Sequence, residues 1–177
     1  VSELDVRFQR RFGRFSPFLG VIALMLAAGC GFLSASQESD VARTWEHGRV
    51  YLPRTSSYSR PSEVSAREPL PTVLYLHGCT GITAGAERWA GTLTGAGYAV
   101  VMPDSFARYY RPSNCDPKTY STGLFPEARR MRQEEIDHAL RMLRASPWAD
   151  HHNLFLMGHS EGGRAVVQWQ GNGFKAL

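Results

Sequence analysis

"LFLMGHSEGG" occupies residues 154–163, and its reading decides the fold. The segment "NLFLMG" (153–158) is an apolar run of strand length. "EGGRAVVQWQ" (161–170) then reads as a helix leaving the turn. Between them, Gly158, Ser160 and Gly162 meet the pattern G-x-S-x-G. A sharp strand-to-helix turn of this kind lifts a serine oxygen above the edge of a sheet. The glycines are required because a side chain at either position would strike the neighbouring strand or helix. Five residues with three fixed positions arise readily by chance, so the flanking strand and helix carry the weight of the assignment. The blander alternative is a tight turn in an α/β protein that only binds.

The rest of the chain repeats the alternation. "GRVYLP" (48–53) reads as a short strand stopped by Pro53, and residues 54–71 read as a loop. "TVLYLH" (72–77) and "YAVVMPD" (98–104) are continuous apolar runs. Between them "GAERWAGTLTGAG" (85–97) predicts a helix, with Trp89 and Leu93 four apart and Gly95 and Gly97 ending it. Residues 106–125 read as a long loop. Pro126 suits a first helical position, and Ala128, Met131, Ile136, Ala139, Leu140 and Leu143 fall at helical spacing, with Arg and Glu assigned to the other side. Strand and helix in alternation predict an α/β fold, a mostly parallel sheet with crossover helices. Runs apolar on both faces suit strands covered on both sides.

The N-terminus has a different plan. Residues 1–29 carry Arg7, Arg10, Arg11 and Arg14 against Glu3 and Asp5, half of the formal net charge of +4. No charged residue occurs from Phe15 to Gln37. A basic start, an apolar middle and small residues beyond it are the layout of an export signal or membrane anchor. "LAAGC" resembles a lipoprotein box in which Cys30 would be lipidated; a spanning anchor and simple cleavage followed by secretion are the alternatives. All three expect the remainder to face the periplasm or the cell exterior. Residues 30–47 are expected to be a tether that does not pack, and 48–177 the folded domain. No stripe of Lys and Arg interleaved with aromatics follows residue 30, so nucleic acid is not an expected partner.

Three blocks in order, "PTVLYLHGCTG", "GYAVVMPDSFAR" and "NLFLMGHSEGG", resemble the dienelactone hydrolase family of the α/β-hydrolase superfamily. The resemblance covers residues 48 to about 171. It implies a cofactor-free hydrolase of esters, lactones or thioesters, acting on a small molecule. Ser160 would be the nucleophile, and the backbone N–H groups of Cys79 and Glu161 would face the oxyanion. Enzymes named for dienelactone carry cysteine at the nucleophile position, so dienelactone itself is not the expected substrate. His77 is expected to shape the oxyanion loop rather than to act as a base. With Cys30 set aside, Cys79 and Cys115 would lie on loops leaving the same sheet edge and could pair; two free thiols are the alternative.

An activated serine needs a histidine and a carboxylate, which in this superfamily follow the nucleophile. After Ser160 come 17 residues, with one acid, Glu161, and no histidine. The expectation is a domain incomplete at its C-terminus, whose Asp and His partners are missing. The rival expectations are an exported non-catalytic binding module, using the Tyr- and Arg-rich 105–125 loop, and a nonfunctional fragment. His159 is expected to point away from the serine oxygen. Glu134 with His138, and His151 with His152, make no zinc spacing and read as a solvated helix face and a loop, so no metal is expected.

Overall fold

The apolar run around residue 74 becomes an interior strand of the sheet because both of its faces find cover. In the computed structural model, which describes residues 40–66, 68–116, 121–122 and 126–175, strand β3 spans Leu70–Leu76 and is buried from Thr72 onward. Leu74 and Leu76 point into one core layer and Tyr75 into the other. Alternate residues of a strand face opposite sides, so a run without polar breaks demands a layer on each.

Strands β1 (Arg49–Tyr51), β2 (Tyr58–Ser59), β4 (Ala99–Met102) and β7 (Ala149–Gly158) complete the main sheet, in the order β2-β1-β4-β3-β7. β3 pairs in parallel with β4 and β7, whereas β1 runs antiparallel to β4 and to β2. The sheet is therefore mixed: β4, β3 and β7 are parallel out to the β7 edge, and β1 and β2 are joined by antiparallel pairing. The segment expected as one long loop holds a short hairpin, β5 (Cys115–Asp116) with β6 (Ser121–Thr122). The strand expected at 153–158 begins four residues earlier, at Ala149.

Helix α1 (Ala84–Gly95) covers one face through Ala86 and Ala90, with Leu93 packed against them. Trp89, four residues before Leu93, is 45% exposed. The helix closes on Gly97 at φ 95°, where the Tyr98 N–H bonds the Leu93 carbonyl and the Gly97 N–H bonds that of Thr94. Glycine adopts this left-handed conformation without strain. Helices α2 (Pro126–Ala145) and α3 (Glu161–Gln168) cover the other face, where Ile136, Ala139, Leu143 and Ala165 meet Leu74, Leu76 and Leu154.

The expected tether needs correction at its C-terminal end. Residues 40–46 are helical, and Val41, Thr44 and Trp45 are buried, Trp45 within the core. Burying an indole offsets the cost of ordering this turn. The export segment and Cys30 lie outside the described residues. Among those residues, no helix is long and apolar enough to cross a membrane. Cys79 and Cys115 are joined as a disulfide with Cα atoms 5.5 Å apart, which ties the loop after β3 to the hairpin.

Candidate active site

β7 ends at Gly158 and α3 begins at Glu161, leaving Ser160 to make the turn. Its backbone sits at φ 55°, ψ −114°, a conformation that a non-glycine residue holds only where its surroundings enforce it. The enforcement is visible. A side-chain carbon at Gly162 would lie 2.1 Å from the Leu76 carbonyl oxygen, and one at Gly158 would lie 2.5 Å from the Gly162 carbonyl carbon. The start of α3 thus rests directly on the end of β3, with no room for a methyl group. Ser160 is exposed at the top of this turn. Among the described residues, no side chain hydrogen-bonds its hydroxyl.

The loop after β3 comes up beside the serine. A side-chain carbon at Gly78 would lie 3.5 Å from the Ser160 Cβ and 3.3 Å from His159 Nδ1. Gly78 immediately precedes Cys79, so the Cys79 segment borders the serine. Neither the Cys79 nor the Glu161 N–H has a backbone partner among the described residues. The first amides of a helix lack intrahelical acceptors and are free for an anion. Near Ser160 there are thus two unused backbone donors.

His77 organises this loop. It is fully buried and stacks on Phe106 with ring centroids 5.9 Å apart. Its Nε2 accepts from the Ser105 N–H at 3.0 Å. That acceptor role puts the proton on Nδ1, which donates to the Gly78 carbonyl at 2.6 Å. Both ring nitrogens are committed, so the ring cannot take a proton from Ser160. Burial, followed by the Arg132 charge, lowers its pKa to about 4. The folded state therefore keeps His77 neutral where the unfolded chain, at its ordinary 6.5, would already bind a proton. A folded-state pKa below the unfolded one means stability present above pH 6.5 and lost as pH falls toward 4. Between pH 7 and pH 5 the loss from this group is expected to be about 2 kcal/mol. Urea unfolding at the two pH values measures it, with His77→Gln as the control that should flatten the dependence. An equal dependence in the variant would contradict the assignment.

Beneath the site lies a group of charges that the sequence reading placed on the solvent side of α2. Arg132 and Glu135 are both buried, as is His138. Glu135 accepts from Arg132 Nη1 at 2.7 Å, from the Ser105 hydroxyl at 2.7 Å and from Arg108 Nε at 3.3 Å. Burial alone would raise its carboxyl pKa, but Arg132 and then Arg108 outweigh that and hold it low. Arg108 also reaches Asp40 and Glu134, and Arg111 bonds the Glu161 carboxylate. Spacing held the signal for these residues. Positions 128, 132, 135, 139 and 143 fall on one helix face, and the buried apolar members at 128, 139 and 143 place 132 and 135 on the core side.

Among the described residues, none of the other histidines is hydrogen-bonded to the Ser160 hydroxyl. His159 lies against Gly78 and lines a cleft of about 520 Å³ beside α1, together with Trp89. Glu134 and His138 do not form a solvated face, since Glu134 pairs with Arg108 and Arg130 and His138 is buried. No cluster of potential metal ligands occurs among the described residues.

A mixed sheet whose parallel strands carry crossover helices on both faces, and a serine on a strained turn between strand and helix, is the arrangement of an α/β hydrolase. The chain belongs to the dienelactone hydrolase family, whose sequence profile matches residues 59–176. No curated protein sequence matches it. Among solved structures it is similar to a dienelactone hydrolase-like promiscuous phosphotriesterase from metagenomic libraries, at 19% identity and a TM-score of 0.47, over 68% of this chain and 46% of that one. It is also similar to a candidate dienelactone hydrolase from Klebsiella pneumoniae, at 20% identity and a TM-score of 0.36, over 53% of this chain and 40% of that one. The chain thus spans less than half the length of either.

Proposed function

We propose that Ser160 is the nucleophile of a hydrolase acting on carboxylic esters, lactones or thioesters. The observation that carries this reading is the Ser160 turn itself. Its hydroxyl stands exposed on a conformation that close packing of Gly158 and Gly162 enforces. Attack by Oγ on the acyl carbon would push the carbonyl π pair onto oxygen. The Cys79 and Glu161 amides border the place where that charge develops, and one such donor typically contributes about 3–4 kcal/mol in a dry site. Collapse of the intermediate would expel the alkoxide or thiolate, and water would release the acyl group. The reading also requires a base for the serine proton and a carboxylate to orient that base. No described residue is hydrogen-bonded to Ser160 in either role. The chemistry needs no cofactor. Turnover of an activated phenyl ester by the full-length protein, abolished in Ser160→Ala, is the expected result; turnover untouched by that change would overturn the reading.

We further infer that the domain works outside the cytoplasm. The basic and apolar N-terminal plan supports this, and so does the Cys79–Cys115 pair, because disulfides persist in oxidising compartments. Protein recovered from cells without reductant should resist alkylation at both cysteines. Quantitative alkylation of both would count against export.

A further inference from the structure

The two amides assigned to the oxyanion belong to different segments, the loop after β3 and the first turn of α3. We propose that Arg132 is a positioning residue that ties these two segments together and sets the separation of the Cys79 and Glu161 amides. The proposal rests on the reading of Ser160 as nucleophile only for its consequence in catalysis; the coupling itself is a property of the fold.

Arg132 is 1% exposed on its side chain and projects from α2 into the space under the serine turn. Its Nη2 donates to the His77 carbonyl at 2.5 Å. That carbonyl lies two residues before Cys79 and directly precedes Gly78, whose own carbonyl is held by the His77 ring. On its other side, Arg132 Nε lies 3.6 Å from Glu161 Oε1, an ion pair without a hydrogen bond. Its Nη1 is anchored on Glu135, which is fully buried. One planar guanidinium therefore contacts the segment carrying one donor and the side chain of the residue carrying the other. A planar fork holds such angles better than the flexible point charge of lysine.

A second route joins the same segments. Arg111 bonds Glu161, Arg111 Nε donates to the Ser105 hydroxyl at 2.8 Å, and the Ser105 N–H donates to His77. That route passes through the 105–111 loop and reaches the His77 ring, not its carbonyl. The backbone also joins the segments, through the His159 N–H on the Leu76 carbonyl and the packing of Gly162 on it; Arg132 is the side chain that reaches both the His77 carbonyl and Glu161, and it is carried by a helix. In a site of this type, misplacing a group by about 1 Å costs up to 10²-fold in rate.

The test is a double-mutant cycle read on backbone amides by nitrogen-15 NMR of the full chain. Glu161→Gln should displace the Cys79 amide resonance, although Cys79 lies on a different segment, while Val100 in the sheet stays in place. In the Arg132→Lys background the same Glu161→Gln change should leave Cys79 where it was, because the link is already cut. Where Arg132→Lys does not fold, the pair Arg132→Met with Glu135→Met replaces the ion pair by apolar side chains and serves as the background. In the kinetic arm, Arg132→Lys should lower kcat about tenfold or more with KM within about twofold. Equal displacement of Cys79 in both backgrounds, or none in either, would overturn the proposal. Loss of displacement in an Arg111→Lys background but not in the Arg132 background would assign the coupling to the loop route and likewise overturn it. Failure of the nucleophile reading would show separately, as turnover that survives Ser160→Ala while the amide coupling is intact.

Discussion

Gly162→Ala is expected to leave the protein unable to close the serine turn. The added carbon would sit 2.1 Å from the Leu76 oxygen, 2.6 Å from its carbonyl carbon and 2.7 Å from the His77 oxygen. All three are backbone atoms at or just past the end of β3. No side chain can swing aside, so β3 or α3 must move. Overpacking that side chains can absorb costs about 1–3 kcal/mol; here the backbone must absorb it, and about 3 kcal/mol or more is expected. Gly91→Ala in α1 is the contrasting case, because a carbon there meets nothing within 4 Å. It should stabilise by roughly 0.5–1 kcal/mol, the usual gain of alanine over glycine inside a helix. Denaturant unfolding of both variants measures the pair. A Gly162→Ala protein within about 1 kcal/mol of the parent would show that α3 does not rest on β3 as described.

The second large effect concerns what the described residues can do alone. Residues 40–177, expressed by themselves, are expected to hydrolyse an activated phenyl ester at no more than the residual level of a serine enzyme lacking its base, roughly 10³–10⁴-fold over water. His77 is held neutral with both nitrogens occupied, and no other histidine is bonded to Ser160 among the described residues. A hydroxyl that keeps its proton is a weak nucleophile at neutral pH. Rapid turnover that depends on Ser160 would show that a residue within this segment acts as the base.

The architecture was legible because its signals are local. The three blocks at 71–81, 97–108 and 153–163 each end an apolar strand at a turn, and their patterns do not depend on distant contacts. The serine turn was legible because its G-x-S-x-G pattern is local, and the demand on Gly158 comes from Gly162 and Gly163, although that on Gly162 comes from Leu76 and His77, far away in sequence. What escaped notice depends on tertiary context. Arg132 and Glu135 were assigned to solvent by residue type, because a buried charge is stable only with partners, and theirs come from Ser105, Arg108 and His77, far away in sequence. Trp45 escaped because its helical turn follows a polar stretch and is stabilised by the core it packs on, not by its own pattern. Trp89 and Leu93 are four apart, yet α1 packs on the sheet through the small Ala86 and Ala90 and leaves the indole outside.

The assignment of Ser160 as nucleophile is tested most directly by labelling the full-length protein with a fluorophosphonate and mapping the adduct by mass spectrometry. Trypsin releases residues 145–164 as the peptide bearing the serine. A single phosphonyl adduct on Ser160, lost in Ser160→Ala, is the expected result. An adduct on another residue, or labelling that persists in the alanine variant, would contradict it.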